Sequence, residues 1–431
     1  MNMNQYYVKN IYEKCKEITV QVPGSKSITN RALHIAALAE GESTLDKVLL
    51  SDDALVFVEC LQRLGIDVIV NEADRTIKVK GTGGTLPVKQ GSINVGSAGT
   101  AARFLTVLLG TSEGNFYIDS SDQMKARPMK ALLDSLVKIG SKVTFHEKDG
   151  HFPFEITGCD PKTSDIEINI EKSSQFLSAL LISSFLSKEG MNIKVNGTHG
   201  MSYVKMTTAM MKDFGVIARN PSSGMFVVAP GQKYTGRYYH IEPDVSAACY
   251  FYAMAAILGI RATVKGVYLN SLQGDIQFVG TLKQMGCTVE ETKDGISVQG
   301  PAYGNINGVS VNMSSFSDQA LTLAAIAPYA DSPVTICGIS HIRGQECDRI
   351  NAIVYNLKSM GIKVTENNDV ITIYPGKPKP AEIQTFCDHR VAMAFAVTGL
   401  RADGIVINDP LCCKKTFAEF FDVLNNIISG Q

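Results

Sequence analysis

The sequence has almost no net charge: 41 Lys and Arg stand against 42 Asp and Glu over 431 residues. That balance excludes general nucleic-acid binding, which needs a basic surface. Any cationic cluster is therefore local and aimed at something small. Metal-ligand spacing is missing as well. None of the ten cysteines forms a Cys-x-x-Cys pair, and no two of the seven histidines stand three or four residues apart. No zinc site is read here. Cys412 and Cys413 are adjacent, a geometry poorly suited to bridging one another. The thiols read as reduced, buried residues of a cytosolic protein. The polar start MNMNQYYVKNIYEKCKE lacks an apolar centre and does not read as a secretory signal. The most apolar runs, such as YFYAMAAILGI at 250–260, are too short to span a bilayer. What remains is a globular chain, 45% apolar, of about two to three domains.

What the sequence does hold is a repeat. Five segments combine an amphipathic helix, a hydrophobic-Gly step and an extended hairpin; LQRLGIDVIVNEADRTIKVKG and LKSMGIKVTENNDVITIYPG are two of them. Their glycines, Gly65, Gly140, Gly215, Gly286 and Gly361, are spaced 75, 75, 71 and 75 residues apart. Each glycine stands where a helix must stop, because glycine tolerates the left-handed cap conformation. The alternating residues after it read as strands with one buried face. Six such units fill the chain, and internal repetition of this kind dictates the fold. The sixth is expected to be completed by the C-terminal helix at 417–429 and the N-terminal strand KEITVQV, so both chain ends fall in one domain. HIEPDVSAACYF at 240–251 reads as a boundary, with Pro243 ending an extended piece before a new helix capped by Asp244 or Ser246. The expectation is an α/β protein of two lobes with three units each. One lobe comprises 1–23 and 243–431, the other 24–242. Two crossings near 23–24 and 242–243 make a hinge, and a hinge suggests closure over a ligand in the cleft.

Polar motifs recur ahead of apolar helices. PGSKSITNRAL places Lys26 at a helix N-terminus, where free N–H groups favour an anion. Ser27 and Arg31, four apart, share one face of that helix. The order Gly-Ser-Lys-Ser is not a P-loop. In GSAGTAARF, the small residues around Gly99 let a ligand approach the backbone. Lys125 and Arg127 precede Pro128, which fits a first helical turn. Ser173, Ser174 and Gln175 open another apolar helix, where capping is the common use of such residues. Asp318 stands at the entrance of a further one; Glu346 and Arg349 are three apart; Asp388, His389 and Arg390 precede an Ala/Val/Met helix; Lys414 and Lys415 precede the last helix. Any one of these is an ordinary charged cap. Together they place cations at helix N-termini, which the helix dipole disfavours unless an anion is bound. The set reads as a site for small polyanions, with Asp318 and Glu346 placed for proton transfer.

The motifs PGSKSITNRAL, GSAGTAARF, MKARPM, SSQFLSALL, SDQALT, ECDRI, DHRVAMA and KKTF, in that order, resemble the EPSP synthase family of enolpyruvyl transferases from about residue 18 to 425. The resemblance implies a two-lobed inside-out α/β barrel, with helices inside each lobe and sheets outside. It implies transfer of the enolpyruvyl group of phosphoenolpyruvate to the 5-hydroxyl of shikimate 3-phosphate with release of phosphate, using no metal or organic cofactor. Lys26, Ser27, Arg31, Ser173, Ser174, Gln175, Tyr203, Asp318, His341 and Gln345 would then hold shikimate 3-phosphate. Lys26, Gly99, Arg127, Gln175, Arg349, Arg390 and Lys415 would hold phosphoenolpyruvate. Asp318 would take the hydroxyl proton, Glu346 would donate to the methylene carbon, and Lys26 would assist catalysis. The chain departs from the family at Ser97, Gly200, His341 and Gln345, where Asn, Ser, Asn and Lys are common. The resemblance also implies sensitivity to glyphosate, because Gly99 leaves room in the phosphoenolpyruvate pocket. A monomer in the cytoplasm is expected, without nucleic-acid or membrane partners. The related transferase acting on a UDP-amino sugar carries a reactive Cys in the loop matching 122–128, which here reads DQMKARP.

Overall fold

In the computed structural model, which describes residues 4–430, the chain divides into two compact units. One is Gly24–Ile241. The other joins the residues up to Pro23 with those from Glu242 onward.

The unit Gly24–Ile241 holds helices α1 (Lys26–Leu38), α2 (Asp52–Arg63), α3 (Gly99–Gly110), α4 (Asp122–Lys125), α5 (Lys130–Lys138), α6 (Gln175–Ser183) and α7 (Met201–Asp213). It has three four-stranded sheets of the same topology. One runs Tyr238–His240, Glu40–Asp46, Thr76–Thr82, Asp67–Asn71; the next Gln90–Asn94, Gly114–Asp119, Phe154–Gly158, Lys142–Phe145; the third Asp165–Asn169, Met191–Asn196, Met225–Val228, Ala218–Ser222. In each, the first pair is parallel and the rest antiparallel. The helices at the starts of the three repeats are inside. Every residue of α3 is buried, as are all of α1 from Ile28 to Leu38, and α3 packs on both α1 and α6. The strands alternate; Asp165–Asn169 buries only Ile166 and Ile168. A sheet with one wet face against helices that are apolar all round is the arrangement such patterns demand.

The second unit repeats the scheme with α8 (Val245–Leu258), α9 (Gln277–Gln284), α10 (Ala320–Ile326), α11 (Arg349–Ser359), α12 (His389–Gly399) and α13 (Phe420–Ser429). All of α8 is buried, and α8, α10 and α12 pack on one another. Two sheets have four strands: Glu17–Val20, Arg261–Lys265, Gly295–Gln299, Thr288–Thr292, and Ser310–Asn312, Val334–Cys337, Val370–Ile373, Val364–Glu366. The third has three: Ala381–Ile383, Ile405–Asn408 and Gln5–Tyr7. No helix among the described residues is long and apolar enough to cross a membrane.

All five repeat glycines have positive φ, between 75° at Gly361 and 116° at Gly140, as the helix-stop reading requires. The sixth unit is built differently from expectation. The strand within KEITVQV does not join the C-terminal helix; Glu17–Val20 lies parallel to Arg261–Lys265 and completes the fourth unit. The sixth takes Gln5–Tyr7 instead, antiparallel to Ile405–Asn408. That segment is polar because it is an edge strand with Tyr7 exposed, so it carries no alternation to read. The last helix starts at Phe420 rather than 417 and ends at Gly430, φ 75°, a sixth stop glycine. Pro128 is not in a first turn either; it lies ahead of Met129, the N-cap of α5. All ten cysteines are free, but Cys387 is exposed and five others are half-buried, so the expectation of buried thiols holds for Cys60, Cys249, Cys287 and Cys413 only.

Candidate active site

The two units carry two groups of candidate residues, set mostly at the starts of their inner helices. In Gly24–Ile241, Ser25 caps α1 by accepting from the Ile28 amide. The next residue, Lys26, is held by Asp53 of α2, Nζ to Oδ2 2.6 Å. One turn on, Arg31 is buried, and its partners are all uncharged. Its Nε donates to Thr207 Oγ1 at 2.7 Å, Nη1 to the Ser27 carbonyl at 3.0 Å, and Nη2 to Ser178 Oγ and the Tyr203 carbonyl at 3.5 Å each. Its guanidinium also lies over the rings of Phe104 and Tyr203. Burial pulls Arg31 down to about 10. A buried cation without a carboxylate is costly to keep, and an anion brought to it would offset that cost. Ser27, Arg31 and Tyr203 thus come together, as the sequence implied. Thr207 and Ser178, inside α7 and α6, were invisible beforehand; nothing distinguishes a helical Ser or Thr that supports an arginine from one that packs.

Gly99 opens α3. A Cβ there would stand 2.8 Å from Arg103 Nη1 and 2.9 Å from Arg127 Nη1, so the glycine is what lets Arg127 lie against the helix start. Gln175 opens α6 and donates to Thr100 Oγ1 at 3.3 Å, while its Oε1 is buried without a partner. Ser173 Oγ accepts from the Gln175 amide. Ser174 is the N-cap of α6, and its hydroxyl occupies the space beside Gly200, φ 64°. The departure from Ser at 200 follows: a side chain there would strike Ser174 and would need a left-handed backbone. Lys125 stands apart from this group, bonded to Glu147 and Asp119.

In the second unit one guanidinium organises everything. Arg349, the first residue of α11, is buried and meets three carboxylates: Nε to Asp388 Oδ2 at 2.8 Å, Nη1 to Asp318 Oδ1 at 2.8 Å, Nη2 to Glu346 Oε2 at 2.7 Å. Burial acts to lower its pKa, but Asp388, Glu346 and Asp318 together raise it well above the ordinary value. The other oxygen of Asp318 takes Arg390 Nη2 at 3.0 Å, and the other oxygen of Glu346 faces Lys415 Nζ at 3.7 Å. Asp388 also caps α12, accepting from the Arg390 amide at 2.9 Å. His341 Nε2 lies 2.7 Å from the hydroxyl of Ser317, the neighbour of Asp318. Gln345 follows the turn Ser340–Gly344 and directly precedes Glu346. Arg343 turns away to Asp348 and Glu366. Among the described residues, no group of three or more His, Cys, Asp or Glu is placed to hold a metal ion.

A family model described as EPSP synthase (3-phosphoshikimate 1-carboxyvinyltransferase) matches residues 14–424. The 3-phosphoshikimate 1-carboxyvinyltransferase of Trichormus variabilis is 45% identical over 406 residues, 94% of this chain and 95% of that one. The chain belongs to the EPSP synthase family. A second family member, from Halalkalibacterium halodurans, is 37% identical over 95% of this chain and 91% of its own. EPSP synthase from Acinetobacter baumannii shares the fold, with a TM-score of 0.82 at 24% identity over 98% of both chains. So does the enolpyruvyl transferase NikO from Streptomyces tendae, with a TM-score of 0.74 at 15% identity over 98% of this chain and 96% of that one. Members of the EPSP synthase family are enzymes, and the inside-out α/β arrangement of helices and sheets expected from the resemblance is theirs.

Proposed function

We propose that this chain transfers the carboxyvinyl group of phosphoenolpyruvate to the 5-hydroxyl of shikimate 3-phosphate, releasing phosphate by addition and elimination. The observation that carries this reading is the double occupancy of Arg349: Asp318 and Glu346 are fixed on its two Nη atoms. Addition across the vinyl double bond needs a base at the attacking oxygen and an acid at the methylene carbon, and two carboxylates held by one rigid fork supply both. Asp318 accepts the hydroxyl proton as the oxygen bonds to the substituted carbon, and Glu346 gives a proton to the methylene. In elimination Glu346 takes a proton back from the methyl group as the carbon–phosphate oxygen bond breaks, and Asp318 gives its proton to the departing phosphate.

Glu346 must carry a proton to start this cycle, yet both its oxygens face cations. The bound phosphoenolpyruvate resolves the conflict. Its phosphate and carboxylate compete for Arg349, Arg390 and Lys415, and a carboxylate that loses its cations picks up a proton more readily. Arg127 and Lys26 with the Gly99 backbone bind the same substrate, and Ser27, Arg31, Ser173, Ser174, Gln175, Tyr203, His341 and Gln345 bind the acceptor. Preset cations of this kind carry the larger share of rate enhancement, each typically supporting about 2.7–4 kcal/mol. The same reading makes the chain a cytoplasmic monomer.

The test is a phosphate-release assay with phosphoenolpyruvate and shikimate 3-phosphate, with UDP-N-acetylglucosamine as control acceptor. Release with shikimate 3-phosphate alone is expected. Release with only the amino sugar, or with neither, overturns the proposal.

A further inference from the structure

Asp318 presents a difficulty that its own contacts do not solve. Each of its oxygens is bound to a guanidinium, Arg349 at 2.8 Å and Arg390 at 3.0 Å. A carboxylate so held is a poor proton acceptor. Behind it stands a carboxylate that the reaction above does not use. Asp275 belongs to a short 3-10 turn, Gly274–Ile276, which packs against the turn Ser317–Gln319 that carries Asp318. It is 3% exposed. Gln319 Nε2 donates to Asp275 Oδ1 at 2.8 Å, and Gln319 Oε1 accepts from Thr322 Oγ1 at 3.0 Å. The residue that orients Asp275 is therefore the chain neighbour of Asp318. The charged and titratable groups around Asp275 are Asp318, Arg390, Asp244 and Cys249, whose thiol donates to the Asp275 carbonyl. Burial pushes the Asp275 carboxyl up to about 6, Asp318 pushes it further the same way, and Arg390 opposes both.

Fold stability alone does not explain such a group. An aspartate whose folded pKa exceeds its unfolded value destabilises the folded chain at every pH where it is ionised. An amide of the same shape would keep the Gln319 bond without that cost. We propose that Asp275 is a positioning residue for the carboxyvinyl transfer: its buried negative charge, fixed by Gln319, keeps Asp318 able to accept a proton between two guanidiniums. This rests on the reaction assigned above. The two carboxylates repel, and that repulsion offsets part of the hold of Arg349 and Arg390 on Asp318. Nothing in the mechanism requires Asp275 to touch either substrate.

The experiment compares the full-length chain with Asp275→Asn, measuring kcat and KM against pH and melting temperature against pH. Wild-type turnover comes first; its absence removes the assigned reaction, and this proposal with it. Given turnover, the variant should lose about tenfold or more in kcat with KM for both substrates changed less than about threefold. The acid limb of its rate profile should move to lower pH, because the loss of rate near pH 6, where Asp275 takes up its proton and its charge disappears, has no counterpart in the variant. The variant should also melt higher than wild type above about pH 6, and the gain should vanish below about pH 4, where Asp275 is neutral in both folded and unfolded chains. A kcat within twofold of wild type overturns the proposal, and so does a loss of kcat with an unmoved acid limb, which any structural disturbance could give. Should Asp275→Asn fail to fold, Gln319→Met decides. It removes the donor that favours ionised Asp275, so Asp275 takes up its proton at higher pH and the acid limb should move up rather than down; an unmoved limb counts against the idea.

Discussion

The two groups of site residues solve opposite electrostatic problems. In Gly24–Ile241 the buried Arg31 is surrounded by hydroxyls, carbonyls and rings, and its charge is unmatched. In the other unit the buried Arg349 is overmatched, with three carboxylates on its three nitrogens. The first suits an anion, on the function proposed above. The second is an ion cluster already neutralised from within, where an incoming anion must displace carboxylates and thereby change their protonation. The proposed reaction divides binding and chemistry accordingly: the first group is assigned to recognising charge, the second to moving protons.

Removing the proton donor tests the second half most directly. Glu346→Gln should reduce kcat by about 10²–10⁴ in single-turnover assays, while phosphoenolpyruvate binds as well or better because Arg349 and Lys415 lose a competitor. Unaltered turnover would break the comparison at its strongest point. Next come the two arginines replaced by the same apolar residue. Arg349→Met leaves three carboxylates without their common cation and should cost about 3–5 kcal/mol of stability in urea unfolding. Arg31→Met should cost less than about 1 kcal/mol, because Thr207 Oγ1 already donates to Ser178 Oγ at 2.9 Å and the lost charge had no carboxylate. Its effect belongs to binding, with KM for shikimate 3-phosphate raised about 10- to 100-fold. Equal destabilisation by the two changes would show that the charges are balanced alike.

A smaller effect is expected at Gly99. The methyl of Gly99→Ala must push Arg103 or Arg127 aside, so KM for phosphoenolpyruvate should rise about tenfold with that for the acceptor unchanged. Glyphosate should inhibit the parent enzyme and inhibit this variant less. The smallest effect at neutral pH lies at His34, fully buried in α1 with neither ring nitrogen hydrogen-bonded. Burial pushes it down to about 3. The unfolded chain takes up this proton below about pH 6.5 and the folded chain only near 3, so the histidine removes stability as pH falls through that window. His34→Leu should match wild type at pH 7 and exceed it by roughly 3 kcal/mol at pH 4 in equilibrium unfolding.

What could be read in the sequence was whatever is local and periodic. The stop glycines, the alternating hairpins and the polar starts of inner helices all express one-dimensional rules, and Lys26, Gly99, Gln175, Asp318, Arg349 and Arg390 stand where those rules put them. Partners supplied from distant elements were not legible. Asp53 is an acidic first-turn residue of α2, Thr207 lies inside α7, and Asp275 follows a glycine in a short turn. Each acquires meaning only from a side chain far away in sequence. Glu17–Val20 was read as a strand but given the wrong neighbours, because alternation tells which face is buried and not which strand lies alongside.

That pairing bears on synthesis. Glu17 lies opposite Arg261 and Gln5 opposite Asn408, whereas Gly24–Ile241 contains every strand of its own three sheets. As the chain leaves the ribosome, the middle can mature first, while Glu17–Val20 stays a bare edge until Arg261–Lys265 emerges and Gln5–Tyr7 until Ile405–Asn408 does. A nascent chain halted after Ile241 should therefore already hold one protease-resistant body with a digestible leader. The long wait of Gln5–Tyr7, rather than any weakness of the finished molecule, is where self-association during production is to be expected.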